Sequence, residues 1–378
     1  MKAITVSPAT RSISLQNVAE PALRLEPGHV RVRILDVGVC GTDREICCFD
    51  YGQPPTGSEH LVIGHESLGE ILEIAPDVTR VKVGDLVVPT VRRPCPHDEC
   101  TACGSSRQDF CYTGDFVERG IKQAHGYMTE IIVDHERYMN VVPKKLRDVG
   151  VLVEPLTIAE KALEQIWQVQ QRLPWACPVL SDRSDRSGRN NGSCHRAVVL
   201  GAGPVGLLGA MALATAGFDT FVYSREHHGS AKARLVECFG GHYISASDTA
   251  VKDLPRAVGS IDVVYEAAGA SGVAFDAMSV LGTNGIFVFT GVPGRKGPIP
   301  VDTDILMRNL VLKNQVVFGT VNASRGTFED AIRDLGIFVQ RWPDAVRSLI
   351  TGRYPMEAHH DLLLGQATGI KNVINFER

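Results

Sequence analysis

The chain has no block of concentrated positive charge: 39 Lys and Arg stand against 43 Asp and Glu, giving a formal charge of −4 over 378 residues. A groove that tracks nucleic acid needs clustered cations, so nucleic acid is not an expected partner. The N-terminus, MKAITVSPATRSISL, has no continuous apolar core after its first lysine, and no secretory leader is expected. Cysteine is sparse as well, ten residues in all, too few to staple a chain of this length and grouped as metal ligands are. These absences together point to a reducing, cytoplasmic compartment. Long apolar runs are missing with one exception, the 22 uncharged residues Ala197–Phe218, which would pass a length test for a membrane span. Their contents exclude one: AVVL reads as a short buried strand, GAGPVG as a turn and LLGAMALATAG as a small-residue helix.

What remains is an ordinary globular composition, 44% hydrophobic and 22% charged, with length for about two domains. The first 150 or so residues carry short β-type runs separated by turns (HVRVRILDVGV, EHLVIGHESLGEILEIA, VKVGDLVVP, GYMTEIIVD), which predict an antiparallel, barrel-like domain. Helical spacing begins in LTIAEKALEQIWQVQQRL, at Ile158, Ala162, Ile166 and Val169. A polar stretch, PWACPVLSDRSDRSGRNNGSCHR, then reads as a surface loop. From Ala197 strands and helices alternate, which predicts a parallel, doubly wound sheet. FEDAIRDLGIFVQRWPDAVRSLI is helical by spacing, and IKNVINFE reads as a last strand that returns to the first domain.

Three groups of residues carry chemistry. Gly201, Gly203 and Gly206 form G-x-G-x-x-G between a predicted strand and helix, where glycines let a pyrophosphate approach backbone N–H groups at a positive helix end. Further on, where an acid would mark NAD, stand Ser224 and Arg225; a hydroxyl and a guanidinium suit a 2′-phosphate and favour NADP, although Glu226, one residue on, would favour NAD. Cys95, His97, Cys100, Cys103 and Cys111 fall within 17 residues, a spacing suited to a closed tetrahedral zinc site. Cys100, Cys103 and Cys111 are three of its ligands, and the fourth is Cys95 or His97. The third group is dispersed: Cys40 in VGVCGTD, His65 and Glu66 in GHE, and Glu154 in VEPL, each at a predicted strand end or turn. Thiolate, imidazole and carboxylate could hold a zinc with an open position. Cys47 and Cys48 read as small apolar fillers.

With these landmarks the chain resembles the zinc-containing medium-chain dehydrogenases over essentially its whole length, through GHESLGEILEIAPDV followed by VGD, the cysteine loop, and GAGPVG. Within that superfamily it is most similar to the archaeal-type glucose 1-dehydrogenases, through VVPTVRRP, RQDFCYTGDFVERGI, VEPLTIAEKA and VVFGTVNASRGTFEDA. It departs in having four residues rather than two between Cys95 and Cys100. The resemblance implies an α/β chain with a GroES-like antiparallel β-barrel-type catalytic domain at 1–155, completed by about 345–378, and a Rossmann dinucleotide-binding domain at 156–344. It also implies that Cys40, His65 and Glu66 hold a catalytic zinc, with Glu154 a further ligand or a close, water-bridged acid. Thr42 matches the proton-relay hydroxyl, and Glu118 and Asn322 match positions that contact the sugar. Pro204 and Val205 belong to the phosphate loop. Phe289, Thr290 and Gly291, with Thr320, Val321 and Asn322, match the nicotinamide end.

The expected reaction is oxidation of C1 of an aldose, most of all D-glucose, to the lactone, with NADP or NAD as acceptor and zinc polarising the hydroxyl. A polyol or secondary-alcohol dehydrogenase is the alternative. A non-catalytic nucleotide-binding redox sensor is disfavoured by the retained zinc-type residues. The partners expected are a small sugar and further copies of the chain, in a dimer or tetramer, without membrane.

Overall fold

The computed structural model describes residues 1–21, 26–173, 192–294, 297–366 and 368–377. The polar stretch at 174–196, Cys177 included, lies outside the described residues as far as 191. Two compact units emerge: Met1–Thr157 with Asn322–Val339 and Val346–Arg378, and Ile158–Val321 with Gln340–Ala345.

The first unit is built around the strand His29–Gly38. Its second half is buried almost without interruption, as a strand covered on both faces requires. It pairs antiparallel with Glu66–Ile74 on one side; on the other it pairs with Ile131–His135 and then with Lys371–Asn375. The final strand therefore does return to the N-terminal unit, where it lies parallel to Ile350–Pro355. Val30, Val32, Ile34, Ile71, Val87 and Ile374 share one core.

The second unit carries a six-stranded parallel sheet in the spatial order His242–Ser245, Asp219–Ser224, Arg196–Leu200, Val263–Glu266, Ile286–Phe289, Val316–Gly319. The order turns outward in both directions from Arg196–Leu200, so the carboxyl end of that strand is the switch point where doubly wound sheets take ligands. The helix Pro204–Thr215 starts there. The predicted C-terminal helix is two helices, Arg325–Arg341 and Pro343–Leu349; Pro343 cannot donate the backbone bond that would continue the first. The fold is thus α/β, with one GroES-like β unit and one Rossmann unit, and among the described residues no helix is long and apolar enough to cross a membrane.

Candidate active site

Cys40 follows the central strand and occupies the N-cap of the helix Gly41–Cys47. Its backbone N–H donates to Asp43 Oδ2 at 2.9 Å, and the other oxygen of that fully buried carboxylate faces His65 Nδ1 at 3.2 Å. Burial alone would lower the His65 pKa; Asp43 outweighs it and raises it well above the ordinary value. Fixing one ring nitrogen with a carboxylate leaves the other as a ligand of defined direction. Glu66 opens the next strand, directly opposite Gly38. A Cβ at Gly38 would collide with the Glu66 carboxylate, so glycine there makes its room. Lys371 Nζ bonds Glu66 Oε2 at 2.5 Å and the Val39 carbonyl at 3.2 Å. The ligand atoms of Cys40, His65 and Glu66 all lie within 4.8 Å of one another. A half-buried thiol with a buried imidazole and carboxylate at that separation fits a zinc ion. Glu154 is not in that group. It sits in the first turn of Val153–Gln170, where burial, reinforced by Glu66 and opposed by His65 and Lys371, pushes its carboxyl up to about 7. Thr42 is half-buried in the first turn after Cys40.

A second polar cluster in the same unit joins Arg92, Glu118 and Asn322. Arg92 Nε and Nη2 each lie 3.0 Å from Glu118 Oε1, and Asn322 Nδ2 donates to the same oxygen at 2.8 Å. Asn322 holds φ of 63°, a left-handed conformation asparagine tolerates. Its own Oδ1 accepts from the Ala323 N–H at 2.9 Å, which orients the amide. Tyr51, exposed and marked by no motif in the sequence, feels this cluster as well as His65: burial and Glu118 push its hydroxyl pKa up, against Arg92 and His65.

In the cysteine loop it is the thiol of Cys95, not the His97 imidazole, that stands with the other three sulfurs. The Sγ atoms of Cys95, Cys100, Cys103 and Cys111 all lie within 4.8 Å of one another, with Cys100 and Cys111 at 4.0 Å and all four unoxidised. Four sulfurs about 2.3 Å from a common centre would be separated by about 3.8 Å, so the set fits a tetrahedral zinc. His97 instead bonds Asp115 through Nε2 at 2.5 Å. Of the two expected fillers, Cys47 is buried whereas Cys48 is exposed; its position after the helix end turns it outward.

In the second unit Gly201 adopts φ of 101° and Gly206 packs on its carbonyl, while a Cβ at Gly203 would meet open space. Gly203 caps the helix and Pro204 is at its start, followed by Val205. Open backbone at a helix N-terminus is what a pyrophosphate needs. At the end of the next strand Ser224 Oγ donates to Glu226 Oε2 at 2.6 Å, and Lys232 donates to Oε1 at 2.5 Å. Burial would raise the Glu226 pKa, but these donors hold it down to about 2. Arg225 is exposed beside them. Lys232 is a cation at this corner that sequence reasoning misses; it sits in the helix Ala231–Cys238 and reaches back to Glu226 in the preceding turn, so no single period links the two. Phe289, Thr290 and Gly291 lie at the end of the fifth strand of the unit and just beyond it. Buried Glu266 ties them down: Thr290 Oγ1 donates to its carbonyl at 2.7 Å, the Gly291 N–H to Oε2 at 3.2 Å, and the Ala268 and Gly269 N–H groups to Oε1 at 2.8 Å each. Gln165 holds Thr320 Oγ1 at 2.6 Å and Lys161 holds the Val321 carbonyl at 2.8 Å.

The chain matches the model of the alcohol dehydrogenase GroES-like domain over residues 26–144 and that of the glucose dehydrogenase C-terminus over 147–376. It is 37% identical to the glucose 1-dehydrogenase of Methanocella arvoryzae over 99% of both chains, and 37% identical to that of Thermoproteus tenax over 100% of both. It belongs to the archaeal-type glucose dehydrogenases of the zinc-containing medium-chain family. A solved member, Haloferax mediterranei glucose dehydrogenase in complex with NADP, Zn and gluconolactone, superposes with a TM-score of 0.86 at 31% identity, with 100% of each chain covered. Escherichia coli galactitol-1-phosphate dehydrogenase shares the fold alone, with a TM-score of 0.77 at 19% identity over 99% of this chain and 100% of its own. Among the features of this glucose dehydrogenase family member that no local motif reveals, Lys371, Arg92 and Asp43 stand out. Only Asp43 could have been found from spacing, three residues after Cys40 at the start of a helix.

Proposed function

We propose that the chain oxidises C1 of an aldose, D-glucose above others, to the lactone with NADP as electron acceptor and NAD as a poorer one. The observation that carries this reading is the convergence of the half-buried Cys40 with the buried His65 and Glu66 in one corner, in a chain whose relatives over their full length are glucose 1-dehydrogenases. Cys40, His65 and Glu66 would hold a catalytic zinc, with Glu154 close by, and the four cysteines a structural one. The catalytic ion would supply Lewis-acid polarisation that brings the C1 hydroxyl within reach of deprotonation near neutral pH. NADP would supply a two-electron acceptor for the C1 hydride, and the hydroxyl proton would leave to solvent.

The chain's own residues do the rest. Asp43 keeps the imidazole in one orientation, and Lys371 balances the Glu66 carboxylate. Thr42 takes the hydroxyl proton in hydrogen bond and passes it outward. Glu118 and Asn322 fix the sugar ring, since polar groups built to pair hydroxyls reject analogues that lack them. Gly201 to Gly206 receive the pyrophosphate, and Ser224, Arg225 and Lys232 a 2′-phosphate; Phe289 to Gly291 and Thr320 to Asn322 frame the nicotinamide. The catalytic domain is taken as 1–155 with about 345–378, and the dinucleotide domain as 156–344. We place the protein in the cytoplasm, where its free thiols stay reduced. The exposed apolar side chains Ile305, Met307, Val311 and Leu312, next to the sheet-edge strand Val316–Gly319, support assembly into a dimer or tetramer.

The test is steady-state reduction of NADP and NAD with D-aldoses, polyols and simple alcohols, on protein of known zinc content. Aldose-dependent turnover that prefers NADP and is lost on chelation is expected. Turnover confined to polyols or alcohols would remove the sugar assignment, and none with zinc fully loaded would remove the catalytic one.

A further inference from the structure

We infer that Arg92 is a positioning residue for sugar recognition: it gathers Glu118 by a single oxygen, so that the second oxygen is presented to one hydroxyl of the sugar and selects for its presence. The inference rests on the reading of the chain as an aldose dehydrogenase.

Arg92 and Glu118 are direct partners in a short antiparallel pair, Arg92–Arg93 against Val117–Arg119, and both are buried. An arginine facing a carboxylate ordinarily makes two parallel bonds, one to each oxygen. Here Nε and Nη2 both converge on Oε1, and the Asn322 amide adds a third donor to that oxygen. No described residue donates to Oε2, which is not among the sealed unpartnered atoms and so keeps access to solvent. A purely structural pair would gain from closing the fork, because a carboxylate oxygen left without a protein donor forfeits a charge-assisted bond. A sugar hydroxyl is the donor this arrangement lacks.

The guanidinium cannot easily swing to close the fork. It lies over the Phe116 ring at 3.7 Å from the centroid, and Nη1 reaches the Asp109 carbonyl at 3.4 Å. The Phe116 ring is in turn covered by Lys122 at 4.4 Å. Lysine could keep the charge at this position but would carry neither the stack nor the paired donors that set the carboxylate's angle.

The experiment compares kcat and KM of zinc-loaded protein for D-glucose and for its 2-deoxy and 3-deoxy analogues, all of which keep C1, in the parent, Glu118→Gln and Arg92→Lys. The parent is expected to discriminate against one analogue by about 100-fold or more in kcat/KM. Arg92→Lys is expected to raise KM for glucose about tenfold with kcat within about threefold, and to shrink discrimination against that same analogue about tenfold, with KM for NADP unmoved. If Glu118→Gln abolishes the discrimination and Arg92→Lys leaves it at the parental value, Arg92 is only structural and the inference fails. If neither variant changes discrimination against either analogue, the sugar role of Glu118 itself fails. Should Arg92→Lys not fold, Phe116→Leu removes the ring beneath the guanidinium and keeps every charge. Reduced discrimination against the same analogue in that variant supports the inference, and parental discrimination at an unchanged Tm overturns it.

Discussion

Replacing Lys371 by Met tests how the acidic corner of the site is held. The Lys371 and Glu66 side chains are each 2% exposed and meet at 2.5 Å. Removing the ammonium strands a carboxylate where water cannot solvate it, which costs about 3–5 kcal/mol when a buried pair loses one member. For a unit of this size each kcal/mol moves Tm by about 2–4 °C, so chelated Lys371→Met is expected to melt roughly 6–20 °C below the parent by circular dichroism at pH 7. The double variant Glu66→Gln with Lys371→Met has no uncompensated charge and should recover at least half of that loss. The pH dependence has a definite sign. Burial alone would lower the Lys371 pKa, but Glu66 outweighs it and the pKa lies above its ordinary 10.5. The pair's stabilisation is therefore complete below pH 10.5 and fades as the pH rises through the folded-state value, a fall in Tm that the Met variant should lack. A single variant costing less than about 1 kcal/mol, or a double variant as unstable as the single, would refute the picture of a buried pair that must stay matched.

Two further outcomes follow from the metal loop and the apolar helix. Cys103→Ser should lower zinc content from about two to about one ion per chain by elemental analysis and loosen the loop to proteolysis, whereas retention of both ions would reject the four-thiol assignment. Val311→Glu, at a position 70% exposed in the chain alone, should weaken self-association about 100-fold in sedimentation velocity; unchanged sedimentation would show that this face stays free.

The parts of the site that depend on short spacing are legible in the amino-acid order alone. The glycine loop, the cysteine cluster and the Cys40, His65 and Glu66 set all lie within or beside local turn signals, and the alternation after Ala197 is enough to expect the parallel sheet. The contacts that orient them, Asp43 apart, are not legible, because the partners are remote in sequence. Lys371 reaches Glu66 across 305 positions and Asn322 reaches Glu118 across 204. Arg92 reads as one of two adjacent basic residues, and only the strand register shows that it faces Glu118 rather than solvent. His97 and Cys95 are indistinguishable by spacing, since both ends of a loop can bend inward; Asp115, 18 positions away, draws the imidazole off.

The return of the final strand to the centre of the first sheet gives synthesis an order. A nascent chain that has emerged through residue 157 already carries Cys40, His65 and Glu66. Its central strand still presents an open edge where Lys371–Asn375 will pair, and Glu66 has no counter-charge. The corner formed by Cys40, His65 and Glu66 is therefore finished from the far end of the message, and a ribosome stalled before Lys371 would leave an open sheet edge and an unmatched carboxylate.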